Sequence, residues 1–308
     1  MNLPLALTLL FASPHADTDS IAALISAERL MADIAFLSDD AFAGRDARSD
    51  EARRAAEFIA NRFRAAGLSP LEGASGFFHC VSDPSMAPNV IATRPGRGRD
   101  FVIVSAHYDH LGVDTSPTTR PDRIFNGADD NASGVAAILA IAEALQAADP
   151  PLDASIVFIA FTGEEQGLRG SRMVAGKPPF PLQRVRGMFN LDMIGRGEED
   201  LIFIDGGRQA DRLRAALRSA NESGKLGLRL RFDEHPEWLD RSDQGPFIRR
   251  RVPAVLLSVE DHPDYHEVTD HADRILPRLV ERVTRLVLLA TIDLASDPSP
   301  SPTTQPGG

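Results

Sequence analysis

The sequence predicts an α/β protein: a single three-layer domain in which helices cover both faces of a twisted, mostly parallel mixed sheet. Two observations carry this prediction. Short apolar runs typical of buried strands alternate along the chain with segments of helical periodicity. Two of these runs, at 101–106 and 155–161, are separated by one strong helix, the order typical of a crossover between parallel strands. Such a sheet binds its ligands beyond the carboxyl ends of its strands.

Three helices have recognisable ends. Ser49 is placed to cap a helix that continues through Ala66 and stops at Gly67. A second helix begins near Ser133, and the prolines from Pro150 end it. The last helix, about Leu276 to Ala295, is expected to pack across the sheet.

The strands are predicted from apolar runs too short for helices. Their ranges are Phe101–Ala106, Ser155–Phe161, Gly187–Leu191, Leu201–Ile204 and Ala254–Ser258. A further strand over 228–232 alternates apolar residues with Arg229 and Arg231, so one of its faces should meet solvent.

Composition excludes several classes of protein. The chain has 308 residues with 33 Lys and Arg against 44 Asp and Glu, a formal charge of −11, which argues against a nucleic-acid partner. Cys80 is the single cysteine, so an intramolecular disulfide is excluded. After the first dozen positions no run of 18 apolar residues occurs, so no membrane span is expected in the mature chain. The oligomeric state stays open.

The two ends of the chain differ from its middle. Residues 1–16 form a short apolar run followed by small residues, which predicts a signal peptide and a periplasmic or extracellular protein. The alternatives are a frayed apolar N-terminus or a misplaced start codon. Residues 17–295 form the predicted catalytic domain, and the Pro- and Ser-rich residues 296–308 are expected to be a disordered tail.

Polar side chains follow successive predicted strands. Each of these residues, taken alone, has a common structural explanation: a polar group at a strand end, a helix cap or a solvated acid. Together they place two imidazoles and several carboxylates at one edge of the sheet: His107, Asp130, Glu164 with Glu165, Asp192 and His266. Asp109 returns to the face of His107 along the extended chain, so its carboxylate could accept a hydrogen bond from the ring nitrogen that faces away from a metal.

This donor set suits Zn²⁺, and the lack of paired cysteines argues against a structural zinc site. For five ligands to hold two ions, one carboxylate must bridge them, with the ions roughly 3.5–4 Å apart as in other two-metal hydrolytic sites. The sequence therefore predicts two Zn²⁺ per chain.

The chain resembles the co-catalytic dizinc aminopeptidases of metallopeptidase clan MH, family 28. Six motifs occur in the family's order between about residues 100 and 275: Ala106-His-Tyr-Asp109, Gly127-Ala-Asp-Asp-Asn-Ala-Ser-Gly134, Gly163-Glu-Glu-Gln-Gly167, Asn190-Leu-Asp-Met193, Arg241-Ser-Asp243, and Tyr265-His266 with Asp270 behind it. Phe42-Ala-Gly-Arg45 and the helix that ends at Gly67 are also similar to the N-terminal part of bacterial members.

The resemblance implies a role for each site residue. Asp130 would bridge the two ions, His107 and Asp192 would complete one zinc site, and Glu165 and His266 would complete the other. Asp109 would orient His107. Glu164 would be the catalytic base that takes a proton from the metal-bridging water and later delivers it to the leaving amine. The implied activity is that of an aminopeptidase acting on peptides with a free N-terminus.

Two features depart from the family pattern. Gln244 follows Ser242-Asp243 where many members carry His, which leaves the oxyanion contact or the side-chain preference open. The interval from Cys80 to Asp100 is too short for the inserted protease-associated domain of some relatives.

Three other functions remain open at this point. They are a glutaminyl cyclase with one zinc, a metallo-carboxypeptidase, and a non-catalytic binding protein of the same fold. Trp238, just before the Ser242 motif, has two interpretations: it walls a specificity pocket, or it fills a packing gap.

Overall fold

The computed structural model of the chain describes residues 18–117 and 120–298. The predicted signal peptide and residues 299–308 of the predicted tail lie outside these residues. The helices are α1 (Thr18–Ala22), α2 (Ala27–Leu37), α3 (Asp50–Ala65), α4 (Gly134–Ala148), α5 (Arg169–Gly176), α6 (Asp211–Ser223), α7 (Gln244–Arg249) and α8 (Pro277–Ser296). The strands are β1 (Phe78–His79), β2 (Asn89–Arg94), β3 (Phe101–His107), β4 (Gly112–Val113), β5 (Ile124–Phe125), β6 (Ser155–Phe161), β7 (Val185–Leu191), β8 (Leu201–Gly206), β9 (Arg229–Phe232) and β10 (Ala254–Ser258).

Eight strands form one sheet in the order β1-β2-β6-β3-β7-β10-β8-β9. The four central strands, β6, β3, β7 and β10, run parallel to one another. On the flanks, β2 is antiparallel to β6 and β8 is antiparallel to β10. Because β3 has the later strands β6 and β7 on its two sides, the strand order reverses at β3. A ligand site is expected at the carboxyl end of such a reversal.

Both faces of the sheet are buried under helices, which confirms the predicted fold class. Successive residues of β6 enter different cores: Phe158 belongs to the larger core with α2, α3, α4 and α8, whereas Ile159 packs with residues of α5 and α7. This division follows from the two-residue period of a strand. The central strands are consequently buried along nearly their whole length.

Helix α4 packs against β3 and directly follows the irregular turn Ala128–Ser133. The helical stretch Ala128–Ala148 is long and apolar enough to cross a membrane by length and composition alone, and 72% of its apolar 18-residue window is buried inside the fold. Gly134 opens α4 against the end of β7. A Cβ atom there would lie 2.6 Å from the Leu191 carbonyl oxygen, so the close approach requires glycine.

The predicted elements match the structure with small shifts. Strands β6 and β10 have the predicted bounds, and the Ser49 hydroxyl caps α3 by accepting a hydrogen bond from Ala52 N at 3.0 Å. Strand β7 begins two residues before the predicted Gly187. The reason is Arg186, a charge buried within this strand because Asp100, 3.1 Å away, and carbonyl groups at the end of α8 satisfy it.

Candidate metal centre

The predicted site residues meet at the carboxyl ends of the four central strands. His107 is the last residue of β3, and Asp192 directly follows β7. Asp130 lies in the irregular helical turn Ala128–Ser133 that leads into α4. Glu164 and Glu165 occupy the loop after β6, and His266 lies in the loop after β10.

Asp130 lies between two groups of possible metal ligands. In the first group, His107 Nε2 is 3.2 Å from Asp130 Oδ1 and 3.1 Å from Asp192 Oδ1. In the second group, His266 Nε2 is 3.2 Å from Asp130 Oδ2 and 3.3 Å from Glu165 Oε2. The two oxygens of one carboxylate thus face different groups, the arrangement a bridging ligand needs.

A histidine that the sequence analysis did not assign joins the second group. His110 Nδ1 is 2.8 Å from Glu165 Oε1 and 3.6 Å from Asp130 Oδ2. The ring is fully buried, and its Nε2 has no hydrogen-bond partner among the described residues. The sequence carried a signal for this residue, because His110 stands three positions after His107, but the spacing alone did not show that the ring turns towards Glu165.

The role expected for Asp109 differs in the structure. His107 Nδ1 lies 3.1 Å from the backbone carbonyl oxygen of Asp109, whereas the nearer carboxylate oxygen is 3.9 Å away. The carboxylate instead accepts hydrogen bonds from the backbone N–H groups of Glu164 at 3.2 Å and Glu165 at 3.4 Å. Asp109 therefore holds His107 through its main chain and the two glutamates through its side chain. With Nδ1 held in this way, Nε2 of His107 faces Asp130 and Asp192.

A second carboxylate holds the backbone of the bridging residue. Asp270 accepts hydrogen bonds from Asp129 N and Asp130 N, each at 3.0 Å to Oδ2. The side chain of Asp129 points away from the two groups, accepting from Gly195 N at 2.6 Å and lying 3.2 Å from His262 Nε2. Asp130 is thus fixed by its neighbours on both sides of the loop.

The electrostatics separate Asp130 from Glu164. Burial would raise the pKa of Asp130, but His110, His107 and His266 outweigh it and hold that pKa well below its usual range. Burial raises the pKa of Glu164 well above its ordinary value, and the negative charges of Asp192 and Asp243 add to the effect. The raised pKa makes Glu164 a candidate proton carrier, whereas the lowered pKa keeps Asp130 ionised.

Asp243 is a buried acid to which the sequence analysis gave no role. It is fully buried, and burial raises its pKa to about 7 against the lowering effects of His107 and the Ser171 side chain. Its charge acts on Asp109 and Glu164. Asp243 is thus a buried acid next to Ser242, which lines the cavity.

The chemistry of the donors fits zinc. Imidazole nitrogens and carboxylate oxygens converge in two sets of three, and within each set the ligand atoms lie within 4.8 Å of one another: His107, Asp130 and Asp192, and His110, Asp130 and Glu165. So many carboxylates this close would repel one another, and a divalent cation in each set would relieve that repulsion. His266 reaches the second set with a side chain 37% exposed.

A small cavity of about 50 Å³ opens beside these residues. Its wall includes the polar residues His107, Asp130, Glu164 and Asp192 and the apolar residues Trp238 and Leu256. Trp238 is buried against Phe203 and Leu256, so it both packs and lines the cavity.

The structure shows the contacts of Gln244, which the sequence analysis did not predict. Its side chain is fully buried, donates from Nε2 to the Trp238 carbonyl oxygen at 2.8 Å, and accepts at Oε1 from Asn190 Nδ2 at 3.2 Å. Asn190 lies two residues before Asp192. Gln244 therefore links the cavity wall to the strand that ends at a predicted metal ligand.

The fold and the donor set together define an α/β protein with a two-part histidine and carboxylate centre. The sequence model of the family described as "Peptidase family M28" matches residues 89–291, so the chain belongs to this family.

Two curated relatives show the range of similarity. The protein named "Probable zinc metalloprotease" from Pyricularia oryzae is 33% identical over 266 residues, which cover 71% of this chain and 52% of that protein. The "Probable leucine aminopeptidase" of Arthroderma otae is 28% identical over 296 residues, 92% of this chain and 77% of that protein. The chain spans about half the length of the first of these relatives.

Solved structures share the fold at low identity. The LapA aminopeptidase of Legionella pneumophila superposes with a TM-score of 0.74 at 19% identity, covering 91% of this chain and 75% of that one. The glutaminyl cyclase of Porphyromonas gingivalis gives 0.67 at 19% identity, with coverages of 87% and 98%. Because both activities occur on this fold, the fold alone does not choose between them.

Proposed function

We propose that this protein is a zinc-dependent aminopeptidase that binds two Zn²⁺ ions and removes N-terminal residues from peptides. The observation that carries the proposal is the position of Asp130, whose two carboxylate oxygens face two different groups of histidine and carboxylate ligands. Asp130, His107 and Asp192 would hold one ion. Asp130, Glu165 and His266 would hold the other.

The ions would supply one part of the chemistry: when bound, they lower the pKa of water towards neutrality and polarise a carbonyl group. Glu164 supplies another part. Its side chain lines the cavity, its pKa is raised, and Asp109 fixes its backbone. In this proposal Glu164 takes a proton from the attacking water and gives it to the leaving amine, so the same carboxyl group serves as base and then as acid.

The charge of the cavity supports an exopeptidase. A peptide with a free N-terminus carries an ammonium group there, and Glu164 and Asp261, cavity carboxylates that are not proposed metal ligands, would attract it. An N-acylated peptide lacks this charge, so it should bind more weakly and react slowly. The relatives named leucine aminopeptidase make a leucyl substrate the first to test.

The decisive experiment combines a substrate screen with a metal count on one sample. The purified protein, loaded with zinc, is assayed on aminoacyl-anilides, on their N-acetylated forms and on C-blocked dipeptides. We expect hydrolysis of free leucyl-anilide, loss of most activity after N-acetylation, and two ions per chain. Equal hydrolysis of the N-acetylated substrate would contradict the proposal, and cleavage that requires a free C-terminus would favour a carboxypeptidase.

A glutaminyl cyclase is the second candidate, because its fold is the same. A single ion per chain, with cyclisation of N-terminal glutamine and no anilide hydrolysis, would favour it. The retention of both His107 and Asp192 beside Asp130 argues for two ions. No hydrolysis of any kind after zinc loading would favour a binding protein.

We also propose that the mature chain starts near Asp17, outside the cytoplasm. This rests on the sequence of residues 1–16 alone. N-terminal sequencing of the protein recovered from its native host tests it, and Met1 retained on cytoplasmic protein would contradict it.

A further inference from the structure

Arg45 is a fully buried cation, only 1% exposed, in the short helical turn Asp40–Arg45 before α3. Its side chain enters the domain behind the metal ligands. It precedes residues 89–291, which match the family, and the similarity of residues 42–45 to bacterial members implies no role for its side chain.

The guanidinium of Arg45 donates to four backbone carbonyl groups. Nε donates to Tyr108 O at 2.8 Å, and Nη2 donates to Gly127 O at 2.8 Å. Nη1 donates to Asn126 O and to Leu37 O, each at 2.6 Å. The backbone carbonyl of Arg45 accepts in turn from His110 N at 3.2 Å.

These acceptors lie next to the predicted ligands. Tyr108 directly follows His107, and Asn126 and Gly127 begin the loop that reaches Asp130. The Arg45 side chain therefore connects the end of β3 to the entry of α4. These two segments supply the proposed ligands His107 and Asp130.

The backbone around Arg45 is built for close approach. Gly44 has a φ of +69°, and a Cβ atom there would lie 2.2 Å from Gly112 O and 2.5 Å from Phe125 O. Glycine at this position lets the turn Asp40–Arg45 press against the β4-β5 hairpin, which brings the Arg45 side chain within reach of both loops.

The charge of Arg45 matters as well as its hydrogen bonds. Burial lowers the pKa of Arg45 to about 10, against the carboxylates of Asp130, Asp270, Asp109 and Glu165, which raise it. The group stays a cation at neutral pH. A permanent positive charge behind the ligands offsets part of their mutual repulsion before any metal arrives.

We propose that Arg45 is a positioning residue for the metal centre, holding the His107 and Asp130 segments at the separation at which both can ligate the same ion. This inference rests on the proposed two-zinc function. It makes the N-terminal segment 37–45 an integral part of the site. Only a planar fork of donors reaches carbonyl groups in several directions, so lysine is not equivalent.

The test compares Arg45→Lys with Arg54→Lys. Arg54 lies on the neighbouring helix α3, is exposed, and donates to the Ala41 carbonyl oxygen at 3.1 Å, away from the metal ligands. Zinc affinity of the folded apo-protein is measured by competition with a chromophoric chelator, and folding is followed by circular dichroism. We expect Arg45→Lys to bind zinc about 10- to 100-fold more weakly, and Arg54→Lys to bind as the wild type does.

A second variant separates position from folding. Arg45 has a φ of +53°, which glycine adopts readily, so Arg45→Gly removes the side chain without straining the backbone. Added methylguanidinium should fill the space and restore zinc affinity in this variant, with no effect on wild type.

Each outcome of this test either supports or overturns the positioning role of Arg45. A folded Arg45→Lys protein with wild-type zinc affinity would overturn the inference, because a merely structural role predicts a lower unfolding temperature alone. Failure of both variants to fold even with methylguanidinium would assign Arg45 to the fold as a whole and overturn it too. If the wild type itself bound no zinc, the proposed function would fail first, so the two failures are distinguishable.

Discussion

The imidazole of His235 lies flat on the indole of Trp238, with ring centroids 3.8 Å apart and planes inclined by 18°. Two carboxylates hold this imidazole. His235 Nδ1 is 3.3 Å from Asp205 Oδ2, and Nε2 is 3.1 Å from Glu260 Oε1. Because Trp238 is the single tryptophan of the chain and lines the cavity, its fluorescence reports on this wall alone.

The emission of Trp238 should titrate with His235. Burial lowers the pKa of His235, but the hydrogen bond and charge of Asp205, joined by Glu260, outweigh it and raise the pKa above 6.5. An imidazolium stacked on indole quenches it, so emission should rise as pH rises through this raised pKa. The stabilisation from the ion pairs follows the same sign: it is complete below the unfolded-state pKa and is lost as pH rises through the folded-state pKa.

A pH titration of fluorescence measures this directly. Asp205→Asn should move the midpoint down, and His235→Gln should abolish the transition. A midpoint at or below 6.5 in the wild type would contradict the assignment of the titrating group.

The adjacent glutamates should fail in different ways. Glu164→Gln keeps the size of the side chain and removes its basicity, so kcat should fall by about 10²–10⁴ with metal content preserved. Glu165→Gln should instead lower metal occupancy, because Glu165 faces Asp130 and His266. Excess zinc should restore some activity to Glu165→Gln and none to Glu164→Gln. Identical metal content and rescue in the two variants would show that the division of roles is wrong.

Replacing Asp130 should remove more metal from the protein than replacing His266. His266→Ala should lose one ion, since each ion has three proposed protein ligands including Asp130. Asp130→Ala should be worse, because it removes an oxygen from both groups. Elemental analysis after dialysis gives the counts. Two tightly held ions in His266→Ala would point to His110, already 2.8 Å from Glu165, as the ligand in its place.

Gln244 should influence which side chain the cavity accepts. Gln244→Met keeps the volume but leaves the Trp238 carbonyl without its donor, which loosens the wall. We expect the ratio of kcat/KM for phenylalanyl-anilide over leucyl-anilide to rise about two- to tenfold, on the scale of one hydrogen bond. Zinc content should stay unchanged.

A matched control exists for this variant. Gln146 lies near the carboxyl end of α4 and donates to the Gly67 carbonyl oxygen at 2.8 Å, so Gln146→Met removes a similar bond away from the cavity. Its substrate preference should equal that of the wild type. If Gln244→Met also kept the wild-type ratio, the link between Gln244 and the cavity wall would have no functional effect.

The sequence predicted those parts of the fold that have a strong local pattern. Strands β6 and β10 are uninterrupted apolar runs between polar residues, so their bounds were found. Strand β2 and helix α2 were not predicted. The six residues of β2 are buried throughout, although they include the polar residues Asn89, Thr93 and Arg94, whose partners lie far along the chain.

The candidate site, like the fold, was predicted only where the local sequence pattern is strong. The motif residues were found because each follows a strand whose carboxyl end meets the others. That Asp109 holds His107 through its carbonyl group, and the glutamates through its carboxylate, depends on distances within a loop. The contacts of Arg45 depend on a turn packing against loops more than sixty positions away. No local pattern encodes either.

The sharing of the centre among four central strands has a consequence for how the protein matures. His107 and His266 lie near opposite ends of the family segment, and contacts of such long sequence separation form late, after the loops between them have closed. We therefore expect the emerging chain to offer no complete binding site for an ion. Zinc should enter a sheet that has already assembled, adding stability to a folded protein, whereas a zinc finger needs the metal in order to fold at all.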